Sequence, residues 1–260
     1  MSVIEDLFGV GGKSVVITGG SRGIGEAIAE TFVRAGARVY ICARRAAEVE
    51  KTAARLSAFG TCRGIPADLS TEAGRDAFIA ALQQHESQLD VLINNAGTIW
   101  AAPLAEYPED GWDKVFDLNV KGLFFFIRDL VPMLKAAGRH GAPARVINVG
   151  SIDAFHVPKH ETFAYSSSKA AVHQLSAHLA YRLAPEHITV NVIAPGLFPS
   201  KMLAGTLESK GEEALTAPIP LKRLTGASDM AGAAIYLASM AGAYVTGAVI
   251  PVDGGFATTL

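Results

Sequence analysis

Cysteine is nearly missing: the 260 residues hold two, Cys42 and Cys62, in apolar surroundings and without metal or redox spacing. That excludes a disulfide framework and leads us to expect a reducing, cytoplasmic compartment. Charge is scarce as well, at 18% of residues with a formal net charge of −2. No basic run exceeds Arg44-Arg45, which argues against a nucleic-acid partner. The first eight residues carry Glu5 and Asp6 and no long apolar run, so no secretory leader is expected. One stretch, Met230 to Val252, has no charge at all and is about as long as a membrane span. It is rich in Gly and Ala, holds Tyr244-Val245-Thr246-Gly247 and contains Pro251. Those residues predict a helix over Met230–Met240, a turn and a buried strand over Gly247–Pro251, and no membrane partner.

Half the residues are hydrophobic, enough for a sizeable core. Val/Ile-rich runs predict strands at Ser14–Thr18, Arg38–Cys42, Cys62–Pro66, Val91–Asn94, Arg145–Val149, Thr189–Ile193 and Ala248–Val252. Helical patterns separate them, at Ile24–Ala35, Ala46–Ala58, Glu72–Glu86, Trp112–Ala137, Phe163–Ala184 and Asp229–Met240. Strands without apolar alternation, spaced by helices, imply right-handed βαβ units and a parallel sheet covered on both faces. The expectation is an α/β fold: one Rossmann-type doubly wound domain over residues 1–260, with about seven strands. The stretch Leu197–Lys222 mixes Pro, Gly, Ser and charges, with a short helix around Ser200–Ala214. It follows the sixth strand and so falls at the ligand-binding edge, where a substrate lid would sit.

The first strand runs into Thr18-Gly19-Gly20-Ser21-Arg22-Gly23-Ile24-Gly25. Glycines there let backbone approach a diphosphate, and the following helix offers free N–H groups and positive potential. A glycine-rich turn without a ligand is the plain alternative. The strict G-x-G-x-x-G spacing is not met, and a P-loop at Gly12-Lys13-Ser14 fails because position 7 is Leu7 and a strand follows. Further on, Tyr165 and Lys169 lie four apart on a predicted helix and leave the same face. Bringing a phenol from about 10 to about 7 takes roughly 4 kcal/mol. One ammonium about 4 Å away supplies that at a protein-surface dielectric, so the pair can form an acid or base near neutral pH.

Taken together with Asn94-Asn95-Ala96-Gly97, Asn119, Ser151 and Pro195-Gly196, the sequence resembles the short-chain dehydrogenase/reductase family. The likeness runs from about Gly12 to Val252-Asp253-Gly254-Gly255, and within the family it is greatest to NADP-dependent 3-oxoacyl-carrier-protein reductases, including the rhamnolipid-biosynthesis type. The resemblance implies that Tyr165 donates a proton to a carbonyl or takes one from an alcohol. Lys169 lowers the Tyr165 pKa and bonds the nicotinamide ribose, Ser151 holds the substrate oxygen, and Asn119 anchors a water in a proton relay. Bland alternatives for Asn119 and Ser151 are a surface polar residue and a helix cap. Gly19, Ser21, Gly23, Ile24 and Gly25 cradle the diphosphate. Asp68 and Leu69 meet the adenine, Asn95, Ala96 and Gly97 line the adenine-ribose side, and Pro195, Gly196 and Ser200 meet the nicotinamide end.

Ala43 stands where NAD-preferring relatives tend to carry Asp, and Arg22 and Arg44 can clamp a 2′-phosphate. NADP(H) is therefore the expected cofactor, with reduction the expected direction. Trp100, Phe155, His156, Phe163, Leu197, Phe198, Met202 and Leu203 are candidates for an apolar pocket around a small-molecule substrate. An acyl chain and a ring both suit it. Arg139 could dock an acidic carrier protein, but Glu186 stands where carrier-protein reductases often have Arg. His156 and His160 do not present as metal ligands, since Pro158 lies between them and no third ligand is apparent. The rings around Leu123-Phe124-Phe125-Phe126-Ile127 exceed one buried face, and the resemblance turns them into a subunit interface of a homotetramer or homodimer. Outside catalysis, a nucleotide-binding regulator with this fold remains as the alternative.

Overall fold

The computed structural model describes residues 2–158, 160–257 and 259, without the side chains of Lys201, Met202 and Lys210. In chain order the first half runs α1 (Val3–Phe8), β1 (Ser14–Thr18), α2 (Gly23–Arg34), β2 (Arg38–Ala43), α3 (Ala46–Leu56), β3 (Cys62–Pro66), α4 (Glu72–Gln83) and β4 (Val91–Asn94). The second half runs α5 (Glu109–Phe116), α6 (Leu123–Ala137), β5 (Ala144–Val149), α7 (Phe163–Leu183), β6 (Ile188–Pro195), α8 (Lys201–Lys210), α9 (Glu212–Thr216), α10 (Ala227–Ala238) and β7 (Val249–Val252). All seven strands are parallel, in the order β3-β2-β1-β4-β5-β6-β7.

The absence of alternation has its physical cause here. Every residue of β1, β4, β5 and β6 is buried, because helices cover both faces. One core layer joins Ile17, Ile28, Phe32, Val39, Ile193 and Leu237 under α2 and α10. The other joins Phe78, Leu92, Phe126, Leu130, Val146 and Val172 under α4, α6 and α7. Between β1 and β4 the strand order reverses, which opens a crevice beyond the carboxyl ends of the strands. The uncharged stretch forms α10, a 3-10 turn at Met240–Gly242 and β7, as the small residues and Pro251 predict. Among the described residues, no helix is long and apolar enough to cross a membrane.

Two features depart from the expectations. The predicted helix Trp112–Ala137 is instead α5 and α6 joined by a π-helical segment at Asp117–Gly122. The excursion after β6 carries two helices, not one, because Gly211 with φ 77° breaks them apart. The aromatic cluster is mostly core: Leu123, Phe126 and Ile127 are buried. Phe124 and Phe125 stack edge to face at 5.3 Å, and the Arg75 and Arg128 guanidiniums lie 5.4 and 4.6 Å from the Phe125 ring. Phe124 and Phe125 themselves stay half-buried.

Candidate active site

The glycine loop leaves β1 and is clamped to β4. Thr18 Oγ1 accepts from the N–H groups of Asn95 (3.0 Å) and Ala96 (2.9 Å), and Asn95 Nδ2 donates to the carbonyls of Thr18 (3.0 Å) and Gly19 (3.2 Å). Gly19 has φ 66°, and a Cβ on Gly25 would lie 2.4 Å from the Gly19 carbonyl, so this turn and approach need glycine. Arg22 is the N-cap of α2 and gives it no side-chain cap. The first-turn N–H groups of α2 are thus left for an anion, with the helix dipole behind them. Thr52 Oγ1 donates to the Ser21 carbonyl (3.1 Å) and ties α3 to the same loop. Uncapped donors and a backbone too crowded for side chains fit a diphosphate.

Around this cradle, Arg22 and Arg44 stand exposed, while Arg45 is paired with Glu48 at 2.5 Å. No carboxylate follows β2 until Glu48. Asp68 Oδ1 accepts from Ser70 N (3.1 Å) and Ser70 Oγ (2.7 Å), which rigidifies the loop after β3. Leu69 is buried, and its carbonyl lies 2.6 Å from where a Gly122 Cβ would be. At the far end, the Gly196 N–H donates to the Val252 carbonyl (3.0 Å), and a Cβ there would meet Asp253 Cα at 2.7 Å. Pro195 closes β6, and Ser200 is the N-cap of α8.

The four polar residues Asn119, Ser151, Tyr165 and Lys169 come together where α6, β5 and α7 meet the crevice. Asn119 sits in the π-helical segment and is 2% exposed. Its Oδ1 accepts from Thr98 N (2.9 Å), and its Nδ2 donates to the Thr98 carbonyl and Ser168 Oγ, both at 3.0 Å. Such insertions recur at functional sites, and this one turns the amide toward the β4 loop. A Cβ built on Gly97 would lie 3.4 Å from Asn119 Oδ1 and 3.7 Å from Lys169 Nζ. Glycine at 97 thus leaves space that both groups face. Ser151 follows β5 and caps a 3-10 turn at Ile152–Ala154, its Oγ accepting from Asp153 N (3.1 Å). The same hydroxyl acts on the Tyr165 phenol and favours its ionised form.

Electrostatics here differ from the expectation that Lys169 lowers the Tyr165 pKa. Burial pushes the phenol up to about 12, opposed by the Ser151 hydroxyl, and the Asp153 charge adds to the rise. Burial also brings Lys169 down to about 8, opposed by Asp153. The lysine reaches past the ring, with Nζ 5.6 Å from its centroid, and donates to the Val149 carbonyl at 2.8 Å. At both groups desolvation outweighs the other contributions, so the phenol holds its proton at neutral pH. Sequence reasoning missed two neighbours. Asp153 is half-buried with its carboxyl raised by burial, and the His173 imidazole is pushed down to about 4 by burial and then by Lys169.

The expected pocket residues divide. Phe155 is 48% exposed and meets His173 at 5.7 Å, and His156 meets Phe256 at 5.1 Å. Leu197, Leu203 and Phe163 are half-buried, and Phe163 packs on Tyr107 at 5.7 Å. Trp100 lies against Gly111 of α5, with Lys114 5.0 Å from its ring. Phe198 packs on the α2–α10 core instead of the α7 side. The Met202 side chain lies outside the described residues.

A family model described as enoyl-(acyl carrier protein) reductase matches residues 19–257. The rhamnolipids biosynthesis 3-oxoacyl-[acyl-carrier-protein] reductase of Pseudomonas aeruginosa is 50% identical over 254 residues, 97% of this chain and 99% of that one. This chain belongs to the short-chain dehydrogenase/reductase family. As a short-chain dehydrogenase/reductase it is an oxidoreductase acting on CH–OH and C=O groups. A solved Pseudomonas aeruginosa RhlG/NADP active-site complex superimposes with a TM-score of 0.94 at 50% identity, covering 97% of this chain and 99% of that one. A 2-dehydro-3-deoxy-D-gluconate 5-dehydrogenase of Pseudoalteromonas atlantica is 34% identical, covering 96% of this chain and 98% of that one. The family thus holds both acyl-carrier and sugar-acid members at comparable coverage.

Proposed function

We propose that this short-chain dehydrogenase/reductase is an NADP(H)-dependent reductase of a 3-oxoacyl thioester, with Tyr165 as proton donor. The observation that carries this reading is the convergence of Asn119, Ser151, half-buried Tyr165 and Lys169 at the crevice, where burial keeps the phenol protonated at neutral pH. NADPH supplies the hydride, and its diphosphate would be held by the Gly19–Gly25 loop and the uncapped start of α2. Arg22 and Arg44 would hold the 2′-phosphate, since no carboxylate stands after β2 to read a 2′-hydroxyl. Asp68, Leu69 and the clamped Asn95–Gly97 turn would bound the adenosine, with Pro195, Gly196 and Ser200 at the nicotinamide end.

Ser151 Oγ orients the substrate oxygen toward the phenol. Tyr165 gives it the proton, and Lys169, mostly charged below about pH 8, stabilises the phenolate that remains. A phenol at about 12 in the free protein is a reluctant acid; a developing alkoxide beside it makes the transfer favourable. Asn119 holds the Thr98 backbone that frames the Gly97 opening and keeps that route to Lys169 in place.

Support for the acyl substrate is the 50% identity to a protein described as a 3-oxoacyl-[acyl-carrier-protein] reductase. Glu186 is ion-paired to Lys135 at 2.8 Å, so the surface where a carrier would look for a cation offers a neutralised pair. Coenzyme A thioesters therefore remain as natural a substrate form as carrier thioesters. The sugar-acid relative favours a second reading, a polyol or sugar-acid dehydrogenase. Loss of reduced-nicotinamide absorbance over acetoacetyl-coenzyme A, a longer 3-oxoacyl carrier thioester, a keto-sugar acid and a cyclic ketone separates the two. Selective thioester reduction supports the proposal, and selective reduction of the sugar acid replaces it. Assembly as a homotetramer, with residues 197–222 acting as a lid in a single domain, is part of the same reading. The outward-facing Tyr181 on α7 and Tyr244 before the edge strand β7 are apolar surface that such assembly would cover, which light scattering on the eluted protein tests.

A further inference from the structure

Asp153 lies two residues past Ser151, in the 3-10 turn capped by the Ser151 hydroxyl. Backbone therefore fixes its distance from the position where a substrate oxygen would bind. The turn packs against α7, and Tyr165 and Lys169 face it from that helix, with His156 and His160 on its own loop. Asp153 is half-buried, yet among the described residues no N–H or O–H hydrogen-bonds its carboxylate, and its one hydrogen bond runs from its backbone to Ser151. A carboxylate so placed is partly withdrawn from water and is met by no protein donor. Burial raises its carboxyl above the ordinary value, so this corner already holds one poorly solvated negative charge. A second anion arriving from the cleft would be repelled by that charge, screened in part by solvent.

We propose that Asp153 is a specificity-determining residue whose carboxylate, beside the Ser151–Tyr165 pair, rejects carbonyl compounds bearing a carboxylate a few bonds from the reacting carbon. This rests on the carbonyl-reductase reading above and deepens it: the site selects neutral 3-oxoacyl groups and turns away sugar acids and free oxo-acids. Two unit charges about 6 Å apart at an effective dielectric of about 20 repel by an amount equal to roughly a hundredfold in affinity. Solvent in an open cleft reduces that to about tenfold.

The test uses matched pairs that share a ketone and differ in charge: ethyl 3-oxohexanoate with 3-oxohexanoate, and a neutral ketohexose with its keto-sugar acid. For the wild-type protein, Asp153→Asn and Asp153→Ser, kcat/KM is measured with NADPH, and cofactor binding confirms that each variant is folded. The readout is the acid-to-neutral ratio within a pair, which cancels any change in the shared proton and hydride chemistry. Removing the charge should raise that ratio at least about tenfold. A ratio that moves less than about twofold, or a wild-type preference for the acid member, overturns the proposal. If the ketohexose pair is reduced and the oxo-ester pair is not, the acyl reading fails, while the ratio still decides the role of Asp153.

Discussion

Removing the Asn119 side chain as Asn119→Ala tests whether the π-helical segment serves the site. The amide is 2% exposed and makes three hydrogen bonds, two of them to the Thr98 backbone. Alanine leaves the Thr98 N–H and carbonyl without that partner, and each orphaned buried group costs about 1–3 kcal/mol. Ser168 suffers less, since its hydroxyl still donates to the Tyr165 carbonyl at 2.7 Å. Because Thr98 is only part-buried, the expected destabilisation is about 2–4 kcal/mol. For a chain of this length that lowers the melting temperature by roughly 5–12 °C, read by calorimetry on the free protein. Asn119→Asp keeps an acceptor for the Thr98 N–H and loses both donated bonds, so it should fall between wild type and alanine. A drop below about 2 °C for alanine would refute the claim that these bonds hold the β4 loop.

Arg44→Asp should weaken NADPH at least about tenfold, the worth of a charge-assisted bond, and NADH far less; equal losses in titrations with the two would remove Arg44 from the 2′-phosphate. Burial sets Lys169 at about 8, so its ammonium is present below that pH and lost as pH rises through it. The kcat/KM for reduction should accordingly fall on the basic side with an apparent pKa of about 8, and Lys169→Arg should abolish that limb. A profile flat through that pH contradicts the role given to the charge.

The scaffold was readable because its logic is local and repeated. Unbroken Val/Ile runs spell strands covered on both faces, and Ser14–Thr18, Cys62–Pro66 and Val91–Asn94 match the observed strands residue for residue. Gly25 was readable too, because only close backbone approach explains a glycine there. What escaped notice depends on long-range geometry. An inserted residue at Asp117–Gly122 leaves the apolar period nearly unchanged, so the π-helical turn that aims Asn119 has no sequence signature. Distance alone assigns the Lys169 charge a lowering of the phenol pKa, but burial of the phenol itself, fixed only once α7 packs on β6, pushes that pKa up instead. Asp153 carries no sequence signal of its own, and its bearing on Tyr165 comes from the packing of its turn against α7. Arg145, buried at 1% with its guanidinium on the carbonyls of Leu237 and Ser239 at the end of α10, is likewise unreadable from a charged letter in a strand.

The central claim is that the Tyr165 hydroxyl supplies the proton, and Tyr165→Phe tests it most directly. Turnover of the best carbonyl substrate should fall about 10²–10⁴-fold, the usual contribution of a general acid, while NADPH titrated by fluorescence binds within about threefold of wild type, below 1 kcal/mol. Turnover within about tenfold of wild type, with the cofactor still bound, would contradict the account and require another group to deliver the proton.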